Sequence, residues 1–201
     1  MEPHNHHRRS IRLKGYDYSQ AGAYFVTICN QDRANLFGSI QNSLMQLNDA
    51  GKMVEKWYRE LVNKFHDIQC GEMVVMPNHV HFIMINVGAD LRVCPDKTGK
   101  PAPILGEHIG SPLHAVVQWF KTMTTNEYIR GVKSYNWQRF NKRIWQRNYY
   151  EHIIRNENEY NRIAQYIVNN PQTWGDDRLN NGTENVLMES RAEYRVEPWM
   201  I

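Results

Sequence analysis

Residues 76–85, MPNHVHFIMI, constrain this chain most. From His79 onward the run is apolar enough for a buried strand, and residues two apart on a strand share a face. Val80, Phe82 and Met84 then make one core-facing surface, and His79 and His81 stand together on the other. An imidazole without a partner is costly in such surroundings. Two of them side by side can hold a divalent metal. A pair of ordinary core histidines remains the plain alternative at this point.

The neighbouring segments supply a fold. Pro77-Asn78 is a turn signal, so residues 68–76 read as a strand antiparallel to 79–85. Residues 23–29, AYFVTIC, read as an earlier strand. Residues 31–46 are polar and read as a loop with a short hairpin. Asn48 caps a helix to about Phe65, with Met53, Trp57, Leu61 and Phe65 at helical spacing. Ser111 as N-cap and Pro112 at the first helical position open a second helix, which Gly131 ends after Ile129. Residues 143–154 alternate and read as a fourth strand. Asn156 with Glu159 caps a last helix carrying Tyr160, Ile163, Ala164 and Ile167 on one stripe, and Pro171 stops it. Strand, helix, strand, strand, helix, strand is the ferredoxin-like pattern. The expected class is α+β: a split βαβ sandwich on an antiparallel four-stranded sheet, with an additional C-terminal helix. Residues 1–15 form a basic arm, 16–175 the main domain with an insertion loop at 88–112, and 176–201 an acidic tail read as a loosely packed appendage.

Charge and cysteine usage narrow the function classes. Net charge is only +3, but seven of the 24 basic residues fall between Arg130 and Arg155, against the single acid Glu151. Aromatics interleave with them. Cations for phosphates and rings for unpaired bases suit single-stranded nucleic acid; a solvated basic face over core aromatics is the bland alternative. Cys29, Cys70 and Cys94 are scattered and make no CxxC pair, which argues against a disulfide framework or a thiolate zinc site and for a reducing, cytoplasmic setting. The N-terminal stretch has no apolar run, so no signal peptide is expected. No segment approaches the roughly 20 apolar residues of a membrane span.

A third metal ligand has to come from another element. Tyr166 and Asn170 are four apart on the last helix and project from one edge of its stripe. If that helix packs near the histidines, a metal could meet the amide while the hydroxyl meets a phosphate. A phenolate can attack a phosphodiester and stay covalently attached to one side of the break. Its free pKa of about 10 makes metal assistance useful. Tyr128, Tyr149, Tyr150 and Tyr160 are rival hydroxyls, and Asn170 before Pro171 also reads as a simple helix terminator.

Taken together, five stretches are recognisable: RSIRLKGYDY at 9–18, AYFVTI at 23–28, VMPNHVH at 75–81, WQRNYYEH at 145–152 and YIVNNP at 166–171. The chain resembles the single-tyrosine transposases of bacterial insertion sequences, with their His-hydrophobic-His motif and lone tyrosine. It looks closest to the REP-associated tyrosine transposase branch, over roughly residues 8–174. The resemblance implies cleavage and rejoining of single-stranded DNA next to an imperfect hairpin, through a 5′-phosphotyrosine. It implies Mg2+ or Mn2+ on His79 and His81, Asn170 as the third ligand and Tyr166 as the nucleophile. Insertion-sequence relatives carry glutamine at the Asn170 position and act as homodimers; the Asn-Pro ending resembles the REP-associated branch, in which a monomer can act, so the resemblance leaves homodimer and monomer both open. Arg8, Arg9, Arg12 and Lys14 would form an arm onto DNA, and Arg139, Lys142, Arg143, Arg147, Tyr149 and Tyr150 would grip the hairpin or flanking strand. The rival is a hairpin DNA- or RNA-binding module that keeps the fold without chemistry. A replication initiator or relaxase shares the chemistry but usually carries a third histidine.

Overall fold

The computed structural model describes residues 15–88 and 110–180. The proposed arm residues Arg8, Arg9, Arg12 and Lys14, most of the 88–112 loop and the tail beyond residue 180 lie outside them.

The elements run β1 (Gly22–Cys29), β2 (Gly38–Gln41), β3 (Leu44–Leu47), α1 (Asp49–Arg59), α2 (Leu61–Lys64), β4 (Ile68–Val75), β5 (His79–Asn86), α3 (Leu113–Ser134), β6 (Tyr150–Ile154) and α4 (Glu157–Asn169). A 3-10 segment, Asn170–Asp176, follows directly. β2 and β3 make a separate hairpin; the main sheet has the order β4-β5-β1-β6, and every neighbouring pair is antiparallel. This is the expected ferredoxin-like arrangement.

Register sorts the side chains. β1 pairs with β5 so that Tyr24, Val26 and Ile28 sit opposite Met84, Phe82 and Val80. Those six belong to the larger core with Val116, Val117 and Phe120 of α3 and Val54 and Tyr58 of α1. The intervening residues face the other way. Phe25, Ile83 and Ile154 meet Ile163 and Ile167 of α4 in a second, smaller core. The sheet is thus covered on both sides, which is why β1 and β5 are apolar almost throughout rather than alternating with charged residues.

Local signals set most boundaries. Asn48 Oδ1 accepts from Gly51 N, and Asn156 Oδ1 from Glu159 N, so both expected caps form. Four boundaries differ from the sequence reading. The first helix breaks at Glu60 and resumes as α2. Ser111 does not cap α3, because its backbone N and its Oγ are both taken by the carboxylate of Asp67; Pro112 holds the cap position. Gly131 lies inside α3, not beyond it: the Trp137 ring packs where a side chain would be, 2.2 Å from an ideal Cβ. β6 starts only at Tyr150. Before it, Lys121 of α3 donates to the carbonyls of Gln146 and Arg147 at 2.8 and 3.2 Å, and Trp145 makes an isolated bridge with Asn30.

Candidate active site

His79 and His81 lie on a central strand, under α4, and are almost fully buried. Their Nε2 atoms are 3.0 Å apart. The outer nitrogens are held by neighbours. Asn78 donates through Nδ2 to the carbonyls of Leu179 (2.7 Å) and Arg33 (3.3 Å). That fixes its amide with Oδ1 toward His79 Nδ1, 2.8 Å away. Because Oδ1 can only accept, Nδ1 of His79 carries the proton and Nε2 keeps its lone pair. Thr27 Oγ1 lies 2.7 Å from His81 Nδ1 and can accept from it in the same way.

Burial favours the neutral rings. It holds His79 well below the usual histidine range, helped by His81 and the Arg33 cation, and holds His81 down to about 3. Neutral imidazoles with outer nitrogens bonded and inner nitrogens converging are how proteins prepare histidine for a metal. The donor set fits a divalent cation.

α4 brings the tyrosine. Ile163 and Ile167 anchor the helix on the sheet, and the Tyr166 ring between them meets the His81 ring at a centroid distance of 5.4 Å. Phe25 stacks on His81 at 5.3 Å and meets Tyr166 edge-on at 6.1 Å, so it fixes both rings. Asn170 ends the helix, buried, and its Oδ1 has no hydrogen-bond partner. An orphaned buried oxygen is what an absent electrophile would leave.

Sequence reasoning passed over Asp177. Its carboxylate closes a His79–His81–Asp177 cluster whose ligand atoms all lie within 4.8 Å of one another, with Oδ2 3.9 Å from His79 Nε2. The 3-10 segment delivers it: Trp174 packs 5.9 Å from the His79 ring, and the following turn is tied down by Arg33 Nη1 on Arg178 O and Asn78 on Leu179 O. Residues 176–180 therefore pack against the candidate site, although the composition of that stretch places it in an acidic tail. Asn78 and Thr27 were equally invisible, the one read as a turn residue and the other as an ordinary strand position.

Tyr128, Tyr149 and Tyr160 are engaged elsewhere, whereas Tyr150 shares the site's face of the sheet and meets Phe25 edge-on at 6.4 Å. Tyr128 donates to Gln138 O on the far side of the sheet, and Tyr160 to Glu72 at 2.7 Å. Tyr149 is buried in the larger core near Lys121. Tyr150 sits beside Thr27, half-buried, its hydroxyl pushed up to about 12 by burial. Arg139, Lys142, Arg143 and Arg147 are exposed, while most aromatics interleaved with them are packed inward: Trp137 and Phe140 against Tyr128, Trp145 against Phe37. Among the described residues no helix is long and apolar enough to cross a membrane.

No family model matches the chain. It is 42% identical over 186 residues to an uncharacterized protein of Haemophilus influenzae, covering 87% of this chain and 93% of that one. A second protein of that organism, provisionally named a REP-associated tyrosine transposase, is 23% identical over 162 residues, 79% of this chain and 75% of its own. The fold matches the solved structure of a REP-associated tyrosine transposase bound to a REP hairpin, with a TM-score of 0.51 and 19% identity over 82% of this chain and 73% of that one. The chain thus resembles the REP-associated tyrosine transposases, and its fold is the one they use.

Proposed function

We propose that the protein cleaves and rejoins single-stranded DNA beside an imperfect hairpin through a covalent 5′-phosphotyrosine at Tyr166. The observation that carries this is the packing of Tyr166 on His81 while the free nitrogens of His79 and His81 converge. Tyr166 Oη attacks the scissile phosphorus, the bond from phosphorus to the 3′-oxygen breaks, and the phenolic proton is balanced by the one the 3′-hydroxyl gains. The ester energy is kept in the phosphotyrosine, so a strand 3′-hydroxyl can reverse the step without ATP. A bound Mg2+ or Mn2+ would neutralise charge on the scissile phosphate. His79 and His81 would hold it, with Asp177 the nearest carboxylate and Asn170 the amide one helical turn beyond the nucleophile. The burial of both rings keeps them from protonating in its place.

DNA binding belongs to the same reading. The solved relative holds a REP hairpin, and here Arg139, Lys142, Arg143 and Arg147 are exposed cations that lie in a stretch whose single acid is Glu151. With Trp145 and Tyr149 buried and Trp137 and Phe140 packed against Tyr128, the contribution to binding is mainly phosphate contact. Arg8, Arg9, Arg12 and Lys14 would extend it as an arm. α4 packs on its own sheet, so one chain supplies both histidines and tyrosine, and the reading needs no homodimer.

The test is incubation with a labelled single strand carrying an imperfect hairpin, with Mg2+ or Mn2+. A denaturant-resistant protein–DNA adduct is expected, absent in Tyr166→Phe and reduced at least about a hundredfold in His79→Ala/His81→Ala. An adduct that persists in Tyr166→Phe would sink the nucleophile assignment. Tight hairpin binding with no adduct under any metal would favour the binding module.

A further inference from the structure

We propose that α4 is strapped to both edges of the sheet by two side-chain pairs, His152–Glu159 and Glu72–Tyr160, and that these are positioning residues for the Tyr166 hydroxyl. The inference rests on Tyr166 being the nucleophile. In the order β4-β5-β1-β6, the two edge strands are β6 and β4. From β6, His152 Nε2 lies 2.8 Å from Glu159 Oε1, and Glu159 Oε2 accepts from Arg155 N at 2.7 Å. From β4, Glu72 Oε2 accepts from the Tyr160 hydroxyl at 2.7 Å. Glu159 and Tyr160 are consecutive, so they leave the helix about 100° apart. One reaches each edge, which fixes the rotation of the helix as well as its height.

The β4 side is built for this contact. Cys70 pairs with Met84 and Met73 with Phe82, so Gly71 and Glu72 together stand opposite Ile83. That is a β-bulge, a device that re-aims a side chain. In regular alternation Glu72 would share the face of Cys70 and point into the apolar core under α1 and α3. The bulge turns it toward α4 instead. Gly71 supplies the clearance: a Cβ there would lie 3.0 Å from the Tyr160 hydroxyl and 3.0 Å from Ile83 Cβ. From the opposite face the single Tyr58 hydroxyl proton is shared between the carbonyls of Ile83 (2.5 Å) and Gly71 (3.2 Å), which holds the irregular backbone in place. Burial and Glu72 together push the Tyr160 hydroxyl up to about 12, so it stays a donor.

Both straps act on the first turn of α4. Tyr166 follows six residues after Tyr160, about 9 Å along the axis, and beyond the straps Ile163, Ile167 and the ring contacts pack that part of the helix on the sheet. A small roll at the strapped end becomes a lateral displacement of the reacting oxygen, and misplacement of that kind lowers rate without weakening binding.

The experiment compares Tyr160→Phe, Glu72→Ala, Gly71→Ala and His152→Ala with the parent protein. Three quantities are read: single-turnover adduct formation on hairpin-bearing single-stranded DNA with Mn2+, DNA affinity, and amide hydrogen exchange across α4 without DNA or metal. Each single variant should slow adduct formation about tenfold and leave DNA affinity within about twofold, with faster exchange in α4. Tyr160→Phe/Glu72→Ala should be no slower than either alone, since they break one bond, whereas Tyr160→Phe/His152→Ala should multiply. Gly71→Ala should reproduce the loss with both partners present. Unchanged α4 exchange in folded Tyr160→Phe and Gly71→Ala would overturn the strap, and faster exchange with an unchanged adduct rate would overturn its positioning role. If the parent protein forms no adduct, the nucleophile reading fails while exchange still decides whether the straps hold the helix.

Discussion

At the residue scale, the two histidines are costly to fold and useful for the same reason. Burial keeps them unprotonated, with His81 held at about 3 against about 6.5 in an unfolded chain. Between those values the unfolded chain binds the extra proton, so stability rises with pH there. The contribution is complete above about pH 6.5 and is lost as pH falls toward 3, a change on the order of a few kcal/mol. Metal-free protein should therefore lose stability steadily across that window in urea titrations at stepped pH, and His81→Leu should flatten the curve. A variant curve as steep as the parent's would show that the ring is not held neutral. The His-x-His pair was legible because a strand's period fixes what lies two residues away. Asn78, adjacent to it, was not, since its role depends on carbonyls of Arg33 and Leu179 that reach it only through tertiary folding.

At the element scale, local chemistry explains what could be read. The caps at Asn48 and Asn156 involve atoms three residues apart, so the sequence contains the whole interaction. The ends of α3 and β6 do not work that way. Gly131 is spaced for the Trp137 ring, and the segment before Tyr150 is shaped by an ammonium from another helix. Burial lowers the Lys121 pKa to about 8, which leaves it largely charged at neutral pH while it holds two carbonyls. Lys121→Met should destabilise the protein by about 1–3 kcal/mol, the range for charge-assisted hydrogen bonds and abandoned acceptors. Hairpin affinity should fall with it, because Arg143 and Arg147 ride on that segment. Denaturant melts and binding at fixed salt check both; an unaltered melt would mean the segment does not depend on the lysine.

At the scale of the whole molecule, the ferredoxin-like order was readable because each hydrophobic period occurs in sequence, and the sheet closes it in the expected way. The site was only partly readable. His79, His81 and Tyr166 come from elements whose periodicity is clear. Asp177 arrives by a 3-10 turn after Pro171, where neither helix nor strand period applies. The 176–180 stretch is polar and acidic by composition, and only its docking through Arg33, Asn78 and Trp174 separates it from a tail.

The double covering of the sheet also separates two kinds of selection along a single strand. On β1 and β5, side chains alternate between the core beneath α1 and α3 and the surface beneath α4. A saturation library over residues 24–28 and 79–83, scored separately for cellular abundance and for DNA cleavage, should show a period of two. Substitutions at Tyr24, Val26, Ile28, Val80 and Phe82 should remove the protein. Those at Thr27, His79 and His81 should leave it abundant and inert. Coincident profiles would mean the faces are not independent. If they separate, neighbouring codons answer to different pressures, and a lineage could lose the proposed chemistry through one register of the strand while the other preserves an intact fold.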